Sequence, residues 1–381
     1  MNYQAMPANY RIAYFAHTLR SDWNNGNAHF LRGLVRALHA EGHDVTAYEP
    51  ASEWSIDHLR TEPRGEDSLA KFMETYSEFD LQTYEPEESE QLWIERLRGT
   101  QVVVLHEWNP PALAQMLLRI RDHIGYKLIF HDTHHRASSS PEQMQQFGLS
   151  RFDGVLAFGA ALAAIYRERF DIQNVWTFHE AADTTVFKPS PREGFDNDVV
   201  WIGNWGEGER AAELREFLLR PAAVLSPERR FQVYGVRYPE QGLTALQASH
   251  IAYGGYLPNL EAPAVYARSR LTLHVPRQQY SAVMMGIPTI RVFEALACGI
   301  PLISAPWQDT EQLFRPGDLR FVANGEEMTQ AIAELLQDPE QAKEEALRGL
   351  ETVLSRHTCI HRAQEFTAIC HQLLHKQESP A

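Results

Sequence analysis

The sequence predicts an α/β fold of two Rossmann-like parallel-sheet domains facing a cleft, and three observations carry that expectation. Apolar strand-like runs alternate with helical patterns along most of the 381 residues. A loop-like stretch, Lys188 to Asn197 (KPSPREGFDN), interrupts the alternation. A new series of strands then begins at DVVWIG, so βα units stand on each side of a linker, and open α/β sheets place ligands in such a crevice. The linker divides the chain into an N-terminal domain, residues 1–189, and a C-terminal domain, residues 190–381.

In chain order, RIAYFAH (Arg11 to His17) reads as a buried strand, Ala28 to Ala40 as a helix ending at Gly42, and DVTAYEP as the next strand. This is a β-loop-α-β unit. Later strand candidates are QVVVLHE (Gln101 to Glu107), YKLIFHD (Tyr126 to Asp132), DGVLAFG (Asp153 to Gly159) and VWTFHE (Val175 to Glu180). Within residues 61–100 acids outnumber bases and periodicity is poor, apart from a short helix around Glu90 to Leu97. The segment reads as an acidic, solvated insertion that leaves the sheet. The second half offers RFQVYG, SHIAYGG, LTLHVP, PLISA and LRFVA as strands. Thr358 to Lys376 forms a terminal helix able to pack back on the first domain, with Ile360, Phe366, Ile369 and Leu373 or Leu374 toward the core.

Composition narrows the function. A balance of 35 basic against 50 acidic residues, net −15, disfavours nucleic-acid partners and anionic membranes, yet leaves room for a local basic pocket holding a small phosphorylated ligand. Three cysteines, Cys298, Cys359 and Cys370, point to a reducing compartment without a disulfide framework. The start lacks a basic region followed by an apolar one, and no run of eighteen apolar residues follows. A cytoplasmic protein without an integral membrane segment is expected; the oligomeric state stays open.

The most informative stretch is Thr289 to Cys298 (TIRVFEALAC), a helix apolar nearly all round, with Pro288 at its first turn and Gly299 after it. Arg291 and Glu294 share one face and either neutralise each other or face a ligand. Two glycine-rich helix starts are candidate phosphate cradles: Gly203 to Gly208 (GNWGEG) with Arg210 in the next turn, and Gly286-Ile287-Pro288. The first matches neither GxGxxG nor a P-loop and is equally the pattern of an ordinary turn. Histidines and acids gather at strand ends: His17, His106 with Glu107, and His131 with Asp132, while His29 opens the first helix. They serve as functional groups or as polar caps. His131, Asp132, His134 and His135 point in different directions on an extended chain, and Asp196-Asn197-Asp198 reads as a turn, so no metal is expected. GxSxG, HExxH and CxxC are all missing from the sequence.

With these residues in view, the chain resembles the GT-B glycosyltransferases, specifically the glycosyltransferase group-1 superfamily and its spore-maturation (CgeB-like) branch. IRVFEALACGIPLISA, TEQLFRPGD and HTCIHRAQEF look like that branch's successive C-terminal signatures. NNGNAHFLRGLVRALHAEGHDVTAYEP, VVVLHEWNPP, LIFHD and ADTTVFKP follow the superfamily's order in the first domain. By that resemblance Glu294 binds the donor's ribose hydroxyls with Arg291 beside it. Arg210, Gly203, Asn204 and the start after Gly286 and Ile287 hold the diphosphate, and Tyr253 to Leu257 hold the base. His131 and Asp132 are the implied catalytic residues near the transferred sugar. Gly26, His29, His106 and Glu107 are the implied acceptor-side groups.

Three departures matter. Gly286 stands where the superfamily often has a first glutamate, Asn204 stands where an arginine is usual, and Gly26 lacks its customary glycine neighbour. The expected function is metal-independent and cofactor-free transfer of a sugar from a nucleotide-diphosphate sugar to an unknown hydroxyl acceptor, with retention of configuration favoured. Alternatives are a nucleotide-sugar 2-epimerase of the same architecture and a catalytically silent nucleotide-sugar-binding module.

Overall fold

The computed structural model describes residues 9–191, 194–206 and 208–375. Seven strands form the first sheet: β1 (Arg11–Phe15), β2 (Asp44–Pro50), β3 (Asp80–Tyr84), β4 (Val102–His106), β5 (Lys127–Asp132), β6 (Gly154–Ala157) and β7 (Val175–Thr177). They lie in the order β3-β2-β1-β4-β5-β6-β7 and every pair is parallel. The apolar character of β4, buried at every position, follows from helices covering both faces. Six strands form the second sheet: β8 (Asn197–Ile202), β9 (Phe231–Tyr234), β10 (Ile251–Tyr253), β11 (Ser269–His274), β12 (Leu302–Ser304) and β13 (Arg320–Phe321). Their order is β10-β9-β8-β11-β12-β13, again all parallel. Each sheet reverses its winding once, between β1 and β4 and between β8 and β11. Those switch points are where crevices open beyond strand carboxyl ends.

One expectation fails in the acidic segment. It does not leave the sheet, because Asp80–Tyr84 pairs with β2 as the edge strand. Only Tyr84 of the five is buried, so the sequence shows no apolar alternation there. Backbone pairing and charge hold the segment instead: Arg36 of the first helix bonds Glu78 at 2.7 Å and the Thr75 carbonyl at 2.6 Å. Glu90–Arg96 is helical as expected, with Ser89 capping it and Trp93 buried against Phe15, Tyr48 and Tyr84.

The terminal helix, Cys359–His375, packs on the first-domain helix Ala28–Ala40. Before it starts, the Ala182 N–H donates to the His357 carbonyl and the Cys359 N–H to the Ala182 carbonyl, both at 2.9 Å. Cys359, Ala363, Phe366, Cys370 and Leu373 form its buried stripe. Ile360, expected in the core, is 51% exposed, because its place in the helical turn falls outside that stripe. Lys376 lies outside the described residues. Helix Ile290–Ala297 begins after Thr289, so Pro288 precedes the helix and does not occupy its first turn.

Gly33, midway along the first helix, faces Cys359 at the start of the terminal helix. A Cβ there would stand 2.5 Å from Cys359 Sγ and 2.6 Å from Asp183 Cβ. Gly33→Val should therefore lower unfolding stability by about 1–3 kcal/mol through overpacking. Urea unfolding checks this, and an unchanged midpoint would show that the terminal helix is not tightly seated.

Candidate functional site

A cleft of about 380 Å³ opens where the carboxyl ends of both sheets meet. From the second domain it is lined by Gly203, Asn204 and Gly206 after β8, and by Gly235, Val236 and Arg237 after β9. Tyr256 and Leu257 follow from beyond β10, His274 and Arg277 from the end of β11, and Thr289, Ile290 and Arg291 from a helix start. The first domain contributes His17, Asp22, Asn24 to Asn27, Trp108, Thr133 to His135, Phe158 and Glu180, each beyond a strand's carboxyl end. Glu207 of the glycine-rich loop lies outside the described residues.

Four arginines line this cleft, Arg210, Arg237, Arg277 and Arg291. Arg277 pairs with Glu209 at 2.8 Å, and Arg291 pairs with Glu294. Arg210 stands over the Trp201 ring and donates to the Asn204 carbonyl at 3.3 Å; among the described residues its Nε has no partner. Burial first, then the nearby charges of Arg277 and Arg291, push its guanidinium down to about 10. A cation whose charge is disfavoured this way attracts an anion to its free donors.

Glu294 is fully buried and does not line the cleft. Oε1 accepts from Asn259 Nδ2 at 3.1 Å and faces His29 Nδ1 at 3.0 Å, while Arg291 binds Oε2. The Asp183 N–H donates to His29 Nε2 at 2.8 Å, which assigns the proton to Nδ1 and makes that nitrogen the donor to Glu294. Burial alone would raise the carboxyl's pKa; Arg291 and His29 outweigh it and hold Glu294 below its usual value. His29 is thus a seam residue between domains and not a wall of the cleft, whereas Gly26 does line it. The seam continues at Asp22, which accepts from the Asn259 N–H at 3.0 Å and from Tyr256, and at Asn24, which bonds Asn204.

The four strand-end groups His106, Glu107, His131 and Asp132 are brought together but lie beneath the cleft, fully buried. His106 and His131 stand in register on β4 and β5, so neither reaches past the sheet end. His106 Nε2 meets Thr133 Oγ1 at 3.0 Å, and His131 Nδ1 meets the Tyr14 hydroxyl at 2.6 Å. Burial pushes His131 down to about 3 and Asp132 up to about 6. Asp132 is held by Tyr166 and by the His134 N–H, and Glu107 by Arg136. Close to these four, His17, Trp108, Thr133, His134 and His135 do face the cleft.

Gly286, Ile287 and Tyr253 also stand away from the cleft. Gly286 has φ +98°, and any side chain there would collide with Thr310, which accounts for the glycine where a glutamate is often found. Ile287 packs on Gly159 in the first domain's core. Tyr253 turns back to donate to the Gly235 carbonyl at 2.7 Å. Asp196 and Asp198 sit at the amino end of β8, opposite the cleft, paired with Arg268 at 3.1 Å and Arg270 at 3.4 Å. No group of metal-ligating side chains occurs among the described residues. Sequence reading missed Glu180 and Arg277. The strand-end rule that picked out His131 also reaches Glu180, the last residue of VWTFHE, and Arg277, which closes LTLHVPR.

Residues 210–368 match the glycosyl transferase-like family model. The sequence finds no match among curated proteins. Among solved structures, the chain is similar to Anabaena HepE crystallised with UDP and glucose: TM-score 0.67, 12% identity, covering 94% of this chain and 99% of that one. It is similar to sucrose-phosphate synthase from Thermosynechococcus elongatus, with TM-score 0.64, 16% identity and coverage of 97% and 100%. An α-glucosyltransferase solved with UDP and a 13-mer DNA gives TM-score 0.67, 12% identity and coverage of 95% and 100%. The fold is the GT-B architecture. Fold and family match agree on an enzyme of glycosyltransferase type. No helix among the described residues is long and apolar enough to cross a membrane.

The buried imidazoles give the protein a pH signature. Burial lowers nine histidines (His17, His43, His106, His131, His134, His135, His274, His357 and His361) and raises four carboxyls (Glu53, Glu107, Asp132 and Glu180). Below the unfolded histidine value of about 6.5 the unfolded chain binds the extra protons, each unmatched site costing about 1.4 kcal/mol per pH unit. The raised carboxyls act oppositely, losing stability as pH rises, but are fewer. The melting temperature should fall from pH 7 to pH 5; an equal or higher value at pH 5 would mean that the native imidazoles carry protons.

Proposed function

We propose that this protein transfers a sugar from a nucleotide-diphosphate sugar to a hydroxyl acceptor in the cytoplasm, with retention of configuration and without metal or cofactor. The C-terminal motif run supports a place in the spore-maturation branch. The observation that carries the reading is Arg210: a half-buried guanidinium whose Nε has no partner among the described residues, flanked by Arg277 and Arg291, in a cleft between two Rossmann-like domains. A diphosphate is the anion this set suits. The two arginines that already have carboxylate partners lend field, and Arg210 supplies unmatched charge. The positive end of helix Ile290–Ala297 adds to this field, with Thr289 and Ile290 on the cleft wall. As the sugar's anomeric bond breaks, negative charge grows on the leaving diphosphate, and donors already in place stabilise it without reorganising.

The nucleoside belongs beside Gly235 to Arg237 and Tyr256 to Leu257, where backbone groups and an apolar wall face the cleft. UDP in the similar structures makes uridine the first base to try. Glu294 keeps its place at the ribose in this reading. Of its present partners only His29 comes from the first domain, so a ribose hydroxyl takes the place of that donor when the domains part, while Asn259 stays beside the carboxylate. Asp132 acts on the sugar only through the loop Thr133 to His135, whose His134 N–H it accepts, and His131 stays beneath the cleft on Tyr14.

The decisive experiment is release of nucleoside diphosphate from a panel of nucleotide sugars, followed with acceptor present. Binding without release would leave a silent binding module. Arg210→Ala should weaken nucleoside diphosphate by about ten- to a hundredfold, the range of a charge-assisted hydrogen bond, and leave the plain nucleoside unaffected in calorimetry. Equal losses would make Arg210 structural. Activity should survive EDTA, since Asp196 and Asp198 are paired with arginines on the far side of the sheet; loss reversed by manganese or magnesium would overturn metal independence.

A further inference from the structure

Glu180 is a carboxyl that the seam, the cations and the buried histidines do not use. It follows β7 on the first domain's wall of the cleft and is 2% exposed. The N–H of Ile290, at the start of helix Ile290–Ala297, bonds this carboxyl, while Oε1 has no partner among the described residues. A buried, unpartnered polar atom is costly in a ligand-free protein and calls for a partner that arrives. Phe158 and Tyr280 also line the cleft. Arg291 adjoins Ile290 and faces the same cleft.

We propose that Glu180 is a specificity-determining residue for the transferred sugar, its free Oε1 hydrogen-bonding a sugar hydroxyl beside the start of helix Ile290–Ala297. This rests on the donor reading above and adds to it the group that reads the sugar. With the diphosphate held by Arg210, Arg277 and Arg291, the sugar projects from the helix start toward the first domain, where Glu180 stands. Burial, with the field of Glu294 added, raises the Glu180 carboxyl well above its usual value and so favours its protonated form. A neutral carboxyl has both an O–H donor and an acceptor, matching a sugar hydroxyl that is also both. Position 286 has no room for a side chain and contributes no second carboxyl.

The test compares UDP with UDP-glucose by calorimetry in wild type, Glu180→Ala and Glu180→Gln. The alanine variant should hold UDP within about twofold and lose UDP-glucose by about three- to tenfold, the range of one hydrogen bond. The glutamine variant, neutral and with donor and acceptor retained, should keep most of the UDP-glucose affinity. Glu180→Met, which preserves volume, takes the place of the alanine variant with the same expectation if that variant does not fold. Parallel loss of UDP and UDP-glucose, or unchanged UDP-glucose, would overturn the role of Glu180. Wild-type protein that binds neither ligand would instead remove the uridine-donor reading beneath it.

Discussion

The pairing of Glu294 with Arg291 on one side and His29 on the other is the interaction on which the rest of the cleft depends. One buried carboxylate holds a cation at the helix start and bonds a first-domain histidine from behind. Neither contact is cheap to desolvate alone. The trio is satisfied only when both domains are in place, because His29 is itself held by the Asp183 N–H. Electrostatics at the anion site and the relative placement of the domains are thereby coupled through a single side chain. A change in the charge beside Arg291 is felt at the seam.

Most of the architecture was legible in the amino-acid pattern for a physical reason. Parallel strands buried on both faces must be continuous apolar runs, and both β2 and helix Ala28–Ala40 take up the residues that the pattern assigned to them. The exception, β3, is legible only in the folded molecule. An edge strand needs one neighbour and little burial, so Asp80, Gln82 and Thr83 are free to be polar. Ile360 shows the opposite failure: an apolar residue at a helix start need not face the core.

The site was legible in part. Of the residues read as site residues, Arg210, Gly203, Asn204, Gly26, Arg291 and Leu257 line the crevice. Spacing along the chain does not say how deep a side chain sits. His106 and His131 lie inside the sheet's end and support Thr133 and Tyr14, while His134 and His135, a few residues on, reach the surface of the cleft. Tyr253 and Leu257 diverge for a similar reason, since the chain turns at Gly254 and Gly255, and the tyrosine folds back on Gly235.

The return of the terminal helix to the first domain makes that domain discontinuous in sequence. The polypeptide crosses between lobes near the linker and again beside Ala182 and Thr358, where the two crossings lie close together. Adjacent crossings act as the two leaves of one hinge: they permit rotation about the line that joins them and resist twisting or sliding. Cutting the gene at the linker would not yield an intact N-terminal lobe, because the helix bearing Phe366 and Cys370 would be left on the other fragment. A faithful isolated lobe requires residues from both ends of the chain.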